Sequence, residues 1–219
     1  MSKQEICKRY ILFVIGLFFS ALGVAFTKHG ELGVSPISSV ANVLSYKFTF
    51  LSMGSWLIVW NCLLILGQVM ILRKNFKPIQ LLQVPLSFLF GYFTDFGLVC
   101  VSFINAEAYV VRLLMVVIGI VVLGFGISLA VIADVIMNSG EAFVKTVADS
   151  INKKFGNVKI VFDVSCVTLS IILSLVFFDF EIVGTREGTI IAAFCTGIAV
   201  KWFTKMLHTP LTKLLKKGH

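Results

Sequence analysis

Asn138-Ser139-Gly140-Glu141-Ala142-Phe143-Val144-Lys145 opens a polar, charged insert that continues to Phe155 and lies between two long apolar runs. A fainter copy, Gly33-Val34-Ser35-Pro36 and the run to Lys47, sits a hundred-odd residues earlier. Such inserts stand out only because the rest of the chain is mostly hydrocarbon. Of 219 residues, 58% are apolar and 14% charged, and the mean hydropathy is +0.98. A soluble domain carries about 25% charge, so the chain reads as a polytopic membrane protein. Phe supplies 21 residues and Pro only 4, which places the apolar content in long helical spans and not in strands broken by turns.

A span needs about 20 apolar residues to cross a core of about 30 Å. Six stretches qualify: Tyr10–Thr27, Ser52–Leu72, Ile79–Ile104, Tyr109–Ala133, Ile160–Phe178 and Gly188–Thr204. The first follows Lys3, Lys8 and Arg9 as a signal peptide would, but no small-residue cleavage site stands out, and it reads as an uncleaved span. If each insert enters and leaves on one face, all of the 19 basic residues except Lys28, Lys47, Arg112 and Arg186 gather on the side of both termini. Among them are Arg73, Lys74, Lys77, Lys153, Lys154, Lys159, Lys201 and Lys205, with a basic tail through Lys213, Lys216 and Lys217. The positive-inside rule then gives N-in and C-in. It also accounts for the net charge of +8 without nucleic acid.

The chain repeats itself. Val14-Ile15-Gly16 and Gly23 match Val117-Ile118-Gly119 and Gly126 at an offset of 103, Ser35 matches Ser139 at 104, and Asn61 matches Asp163 at 102. The expected organisation is an all-α membrane protein, one membrane domain of two three-helix repeats, residues 1–107 with insert 33–47 and residues 108–219 with insert 138–155. Three is odd, so the second repeat would be inserted upside down. Inverted repeats are the build of many secondary transporters, whose sites lie between discontinuous helices near the midplane.

Ser35 before Pro36 is a helix start, since the hydroxyl can accept a backbone N–H and proline suits the first helical position. Asn138 with Glu141 three residues on fits a capping box. Helices from Ser35 to Lys47 and from Ser139 to Phe155 would rise only about 20 and 25 Å. Each is therefore re-entrant, its start aimed at mid-membrane, or interfacial, with Ala142, Val144, Val147, Ala148, Ile151 and Phe155 as the apolar face of the second. Re-entrant starts would present free N–H groups and positive dipole ends to an anionic solute.

Ionisable and polar groups inside apolar spans are costly and mark function by default. The expected solute site comprises Ser35, Pro36, Asn61, Asp95, Asn138, Ser139, Gly140, Glu141, Asp163, Arg186 and Thr189, with Glu141, Lys145 and Asp163 as coupling groups. Gln83 and Thr94 are further polar residues of the third span. Glu141 and Lys145 are spaced for a helical ion pair, and Lys159 stands four before Asp163. Gly184-Thr185-Arg186-Glu187-Gly188 is a weak GxxxG dimer signal, which allows a homodimer, and reads better as a turn before a helix. It lacks the lysine of a phosphate loop.

Five cysteines (Cys7, Cys62, Cys100, Cys166, Cys195) have no CxxC spacing, and His29, His208 and His219 are scattered, so neither metal nor cofactor is expected. No catalytic constellation is present, and the chain is not read as an enzyme.

The GVSPISSVANVLS insert, the FGYFTD of the third span, NSGEAFVK with its KIVFD follow-on, and REGTIIAA together resemble the bacterial YczE/YyaS/YitT-like integral membrane proteins. That resemblance implies a multi-pass protein of the bacterial inner membrane. Gly33 to Pro36 keeps the family's Gly-x-x-Pro start, whereas the second insert has Gly140-Glu141 where some relatives repeat it. The function expected is alternating-access transport of a small, anionic solute. The alternatives are the substrate-binding subunit of a multi-component importer and a non-transporting scaffold or regulator. Partners are membrane lipid and a small molecule or ion.

Overall fold

The computed structural model describes residues 3–216; Lys217 and His219 lie outside them. The described chain is helical: α1 (Lys3–His29), α2 (Pro36–Lys47), α3 (Met53–Leu72), α4 (Gln83–Val101), α5 (Tyr109–Ala133), α6 (Ser139–Ser150), α7 (Phe155–Phe177) and α8 (Glu187–Lys216). Short 3₁₀ turns at Arg73–Asn75 and Pro78–Leu82 join α3 to α4. Six helices are long and apolar enough to cross a membrane, and the protein is an all-α membrane protein.

Several bounds differ from those read in the sequence. α1 starts at Lys3 and not at Tyr10 because its polar first turns are tied down: Arg9 pairs with Glu5 at 3.0 Å and donates to the Ala133 carbonyl at 3.0 Å. The second insert ends at Ser150, since Asn152 takes a left-handed φ of 52° and turns the chain, and Phe155 opens α7. α8 continues well past Thr204. The third span begins as a 3₁₀ turn, and its α-helix stops at Val101.

α1 and α5 form the central pair and cross antiparallel, Gly16 lying on Gly126 and Gly23 on Gly119. A Cβ on Gly23 would stand 2.7 Å from the Gly119 carbonyl oxygen, and one on Gly16 would stand 2.7 Å from that of Gly126. The backbones touch, as small residues permit in membranes, where helices gain by dispersion and not by leaving water. Around this pair α4 lies along α1, with Phe18 on Phe93 at 5.3 Å, and α8 lies along α5, with Phe125 on Phe203 at 5.4 Å. α2 runs beside α7 and α6 beside α3, each short helix thus packing against the other half of the chain.

Lipid is the solvent for the outer faces. Ile190, Phe194 and Ile198 of α8 are 62–72% exposed at four-residue spacing, and Tyr92, Phe96 and Val99 of α4 are 56–72% exposed at spacings of four and three.

Candidate functional site

α2 starts beside the middle of α7 and runs to its end. Its Ser39 hydroxyl donates to the Cys166 carbonyl at 3.3 Å in the middle of α7, while Lys47 Nζ donates to the Phe177 carbonyl at 2.8 Å at the end of that helix. The start of α6 is gripped by α3 and α4. Gln68 and Gln83 exchange amide hydrogen bonds of 3.0 and 3.2 Å, Gln68 Nε2 donates to the Ser139 carbonyl at 3.3 Å, and the Ser87 and Ser139 hydroxyls are 3.0 Å apart. Both glutamines are buried, and in a membrane interior such a reciprocal pair satisfies groups that lipid cannot.

The two helix starts meet. A Cβ on Gly140 would come within 3.0 Å of Ile37 Cδ1. They do so at the wall of a cavity of about 1160 Å³ lined by α1 and α3 through α8 together with the start of α2. Neither cap residue behaves as the sequence suggested: no side-chain capping bond runs from Ser35 or Asn138 to a backbone N–H of its helix, and Ser35 Oγ donates instead to Ser38 Oγ at 3.0 Å. The capping box at Asn138–Glu141 is absent. No cap side chain accepts from the first N–H groups of α2 and α6, although Ser38 N donates to the Ser35 carbonyl at 2.9 Å, and the positive ends of two helices face one space.

Ser35, Pro36, Asn61, Asn138, Ser139, Gly140, Glu141, Lys145 and Asp163 all line this cavity. Lys159 Nζ bonds both carboxylate oxygens of Asp163. Glu141 forms no ion pair with Lys145 among the described residues; both line the cavity, Glu141 half-buried and Lys145 exposed. Burial holds the Glu141 carboxyl above the usual carboxylate range; the Lys159 charge opposes this and the Asp163 charge adds to it. The lining carries four lysines (Lys77, Lys145, Lys159, Lys201) and four acids (Asp134, Glu141, Asp149, Asp163).

Three expected residues lie elsewhere. Asp95 holds the start of α3, accepting from Ser52 Oγ at 2.5 Å and from Gly54 N at 2.8 Å. Arg186 is exposed beside Glu187 at 3.7 Å, and Thr189 packs against Gly33, whose φ of 117° only glycine takes without strain. The 184–188 stretch is a turn and helix start: Gly184 packs under Asn42 and Tyr46, and Gly188 N donates to the Leu32 carbonyl at 2.8 Å. On that side the protein is sealed. Lys28 Nζ sits 3.3 Å from the centre of the Tyr46 ring, Arg112 pairs with Glu31 at 3.1 Å, and Asn42 Nδ2 donates to the Gly184 carbonyl at 2.7 Å. Burial pushes the Tyr46 phenol up to about 12.

Sequence reasoning passed over Gln68 and Ser20. Gln68 could have been found as an amide inside an apolar span. Ser20 could not, because a serine between Phe19 and Ala21 reads like any small helix-packing residue.

A family model matches residues 7–205: the chain belongs to the Family of unknown function (DUF6198). No curated protein and no solved structure matches it.

Proposed function

We propose that this family member is a small secondary transporter that moves an anionic solute by alternating access. The observation that carries the reading is the meeting of Ile37 and Gly140, two uncapped helix starts from opposite halves of the chain at the wall of one cavity. α2 and α6 act as re-entrant helices in this reading. The mid-helix bond of Ser39 to Cys166 supports it for α2, since an interfacial helix would touch only the ends of its neighbours.

The inverted duplication is part of the same proposal. Its support is reciprocity: under the 103-residue offset Gly16 corresponds to Gly119 and Gly23 to Gly126, and the observed contacts are Gly16 with Gly126 and Gly23 with Gly119. A two-fold axis relating the halves requires that exchange. Arg9 at the end of α5 and Arg112 at the end of α1 repeat it. Kinship with the YczE/YyaS/YitT-like proteins, an inner-membrane location and N-in, C-in topology belong to this proposal too, supported by the lysines that surround the cavity's open side.

In the transport cycle the N–H groups at Ile37, Ser139 and Gly140 and the Ser35 and Ser139 hydroxyls bind the anionic group. Glu141 takes the coupling proton, which its raised affinity for protons suits. Asp163, held by Lys159, sets the field around it, and Asn61 faces it from the other half. The Lys28–Tyr46 and Arg112–Glu31 contacts close the far side and must part for the cavity to open there.

The test is proteoliposome uptake of a panel of small organic anions under an imposed pH gradient, with Glu141→Gln and Asp163→Asn. Glu141→Gln should abolish gradient-driven accumulation while leaving solute exchange. Unchanged accumulation in both variants removes the coupling roles, and no uptake of any solute by the wild type removes the carrier reading.

A further inference from the structure

The main helix pairings are two-fold, and the largest departure lies between α3–α4 and α7–α8. α3 and α4 pack along one another, with the Gly54 and Gly91 backbones in contact, but their counterparts α7 and α8 barely touch. On the sealed side the 178–186 turn fills the space between them, held by Ser170 to Thr185 at 2.9 Å and by Ser174 to the Glu181 carbonyl at 2.8 Å. Toward the lysine-rich side nothing fills it. The cavity reaches the gap there, lined by Ile160 and Asp163 of α7 and by Ala193, Gly197 and Val200 of α8. Ile160 is 65% exposed, and a Cβ built on Gly197 meets no atom within 4 Å.

The cavity's chemistry is graded. Its deep end holds the uncapped starts of α2 and α6 and Ser20, which is 2% exposed and whose hydroxyl has no partner in the protein. The end at the gap sets the aliphatic side chains of Ile160, Ala193 and Val200 beside Lys159, Asp163 and Lys201. A volume of about 1160 Å³ exceeds what a simple inorganic anion fills and lies above the roughly 300–1,000 Å³ that hold drug-sized ligands.

The geometry points to an amphiphile as the substrate: an anionic head seated against the starts of α2 and α6, and an aliphatic tail leaving sideways between α7 and α8 into the leaflet on the lysine-rich side. This deepens the carrier reading and rests on it. Each methylene of a tail adds to the cost of bringing it into water, so a tailed substrate is served by a lateral opening, whereas a soluble solute needs none. Lys159 and Lys201 line the cavity on the two helices that flank the gap, where a head group passes between leaflet and deep site.

The test uses the full chain in nanodiscs, labelled with a diazirine analogue of palmitate, with unlabelled palmitate or butyrate as competitor. Adducts should concentrate on residues 155–163 and 192–201, yield to palmitate and not to equal butyrate, and fall about tenfold in Gly197→Trp, the cost of displacing two buried methylenes. Gly156→Trp serves as the folding control, since that position also faces open space but does not line the cavity; it should label like the wild type. Adducts spread over all lipid-facing helices, labelling indifferent to Gly197→Trp, or a Gly197→Cys that forms a disulfide with a second copy of the chain would each overturn the proposal. Butyrate uptake into proteoliposomes, measured alongside, separates the two readings. Butyrate transport without palmitate labelling sinks the amphiphile and keeps the carrier, while site-specific labelling with no flux of either solute keeps the site and sinks the carrier.

Discussion

Gly23→Ala should loosen the whole molecule. The added methyl carbon would stand 2.5 Å from Leu123 N and 2.7 Å from the Gly119 carbonyl oxygen. Ordinary van der Waals contact begins near 3.4 Å, and the obstructing atoms are backbone, which cannot rotate aside as a side chain can. α1 and α5 must therefore separate by nearly 1 Å. A radial gap of about 0.5–1 Å forfeits a quarter to a half of each dispersion contact across it, and overpacking of this kind costs about 1–3 kcal/mol. For a chain of this size each kcal/mol moves the melting temperature by about 2–4 °C, so a fall of about 2–12 °C is expected in detergent, followed by size-exclusion chromatography of heated samples. Gly126→Ala meets the Gly16 carbonyl oxygen at 2.6 Å and should cost a similar amount. The double variant should cost clearly less than the sum, because one separation of the two helices relieves both clashes. A melting temperature unchanged or raised in Gly23→Ala would refute the close crossing of α1 and α5. Strict additivity in the double variant would refute their moving as rigid rods.

Other outcomes follow from the same contacts. Burial raises the Glu141 affinity for its proton in the folded state above the ordinary value of 4.5, so the folded protein binds more protons than the unfolded one and loses stability as pH rises from about 4.5 through the folded pKa. Glu141→Gln should therefore melt higher than wild type above that window and together with it below, as melting curves across pH will read. Gln68→Ala leaves Gln83 and the Ser139 carbonyl without their buried partner and should cost about 1–3 kcal/mol, while Gln68→Leu with Gln83→Leu should recover part of the loss because neither amide is then stranded. Asp95→Ala removes an acceptor from the start of α3 and should cost about 1 kcal/mol of stability with no change in solute affinity; altered affinity would return Asp95 to the solute site.

Much of the anatomy is legible in one dimension. A backbone in lipid must bond to itself, so each run of about 20 apolar residues becomes a helix wherever it packs. The starts at Ser35-Pro36 and Asn138-Ser139 are legible for a local reason as well, since proline fixes one and the polar break after Ala133 fixes the other. Side-chain detail at those starts was not: a cap bond and a bond to a neighbouring serine are equally open to Ser35 until the fold selects one.

The polar residues divide differently. Asp95 and Asp163 are both acids in apolar spans and look alike in the sequence, yet one holds the start of α3 and the other lines the cavity. What separates them is the rotation of each helix about its axis, about 100° per residue, and that angle is set by the helices packed against it. The sequence determined that six helices are long and apolar enough to cross, that two short ones start with polar residues and that most basic residues fall outside the apolar runs, because these depend on local composition and the cost of taking polar groups from water. Only the tertiary structure decided that Ile37 meets Gly140, that Gln68 pairs with Gln83 and that α7 stands apart from α8. Those depend on which faces the close α1–α5 crossing leaves free, and a contact between residues a hundred positions apart has no local signature.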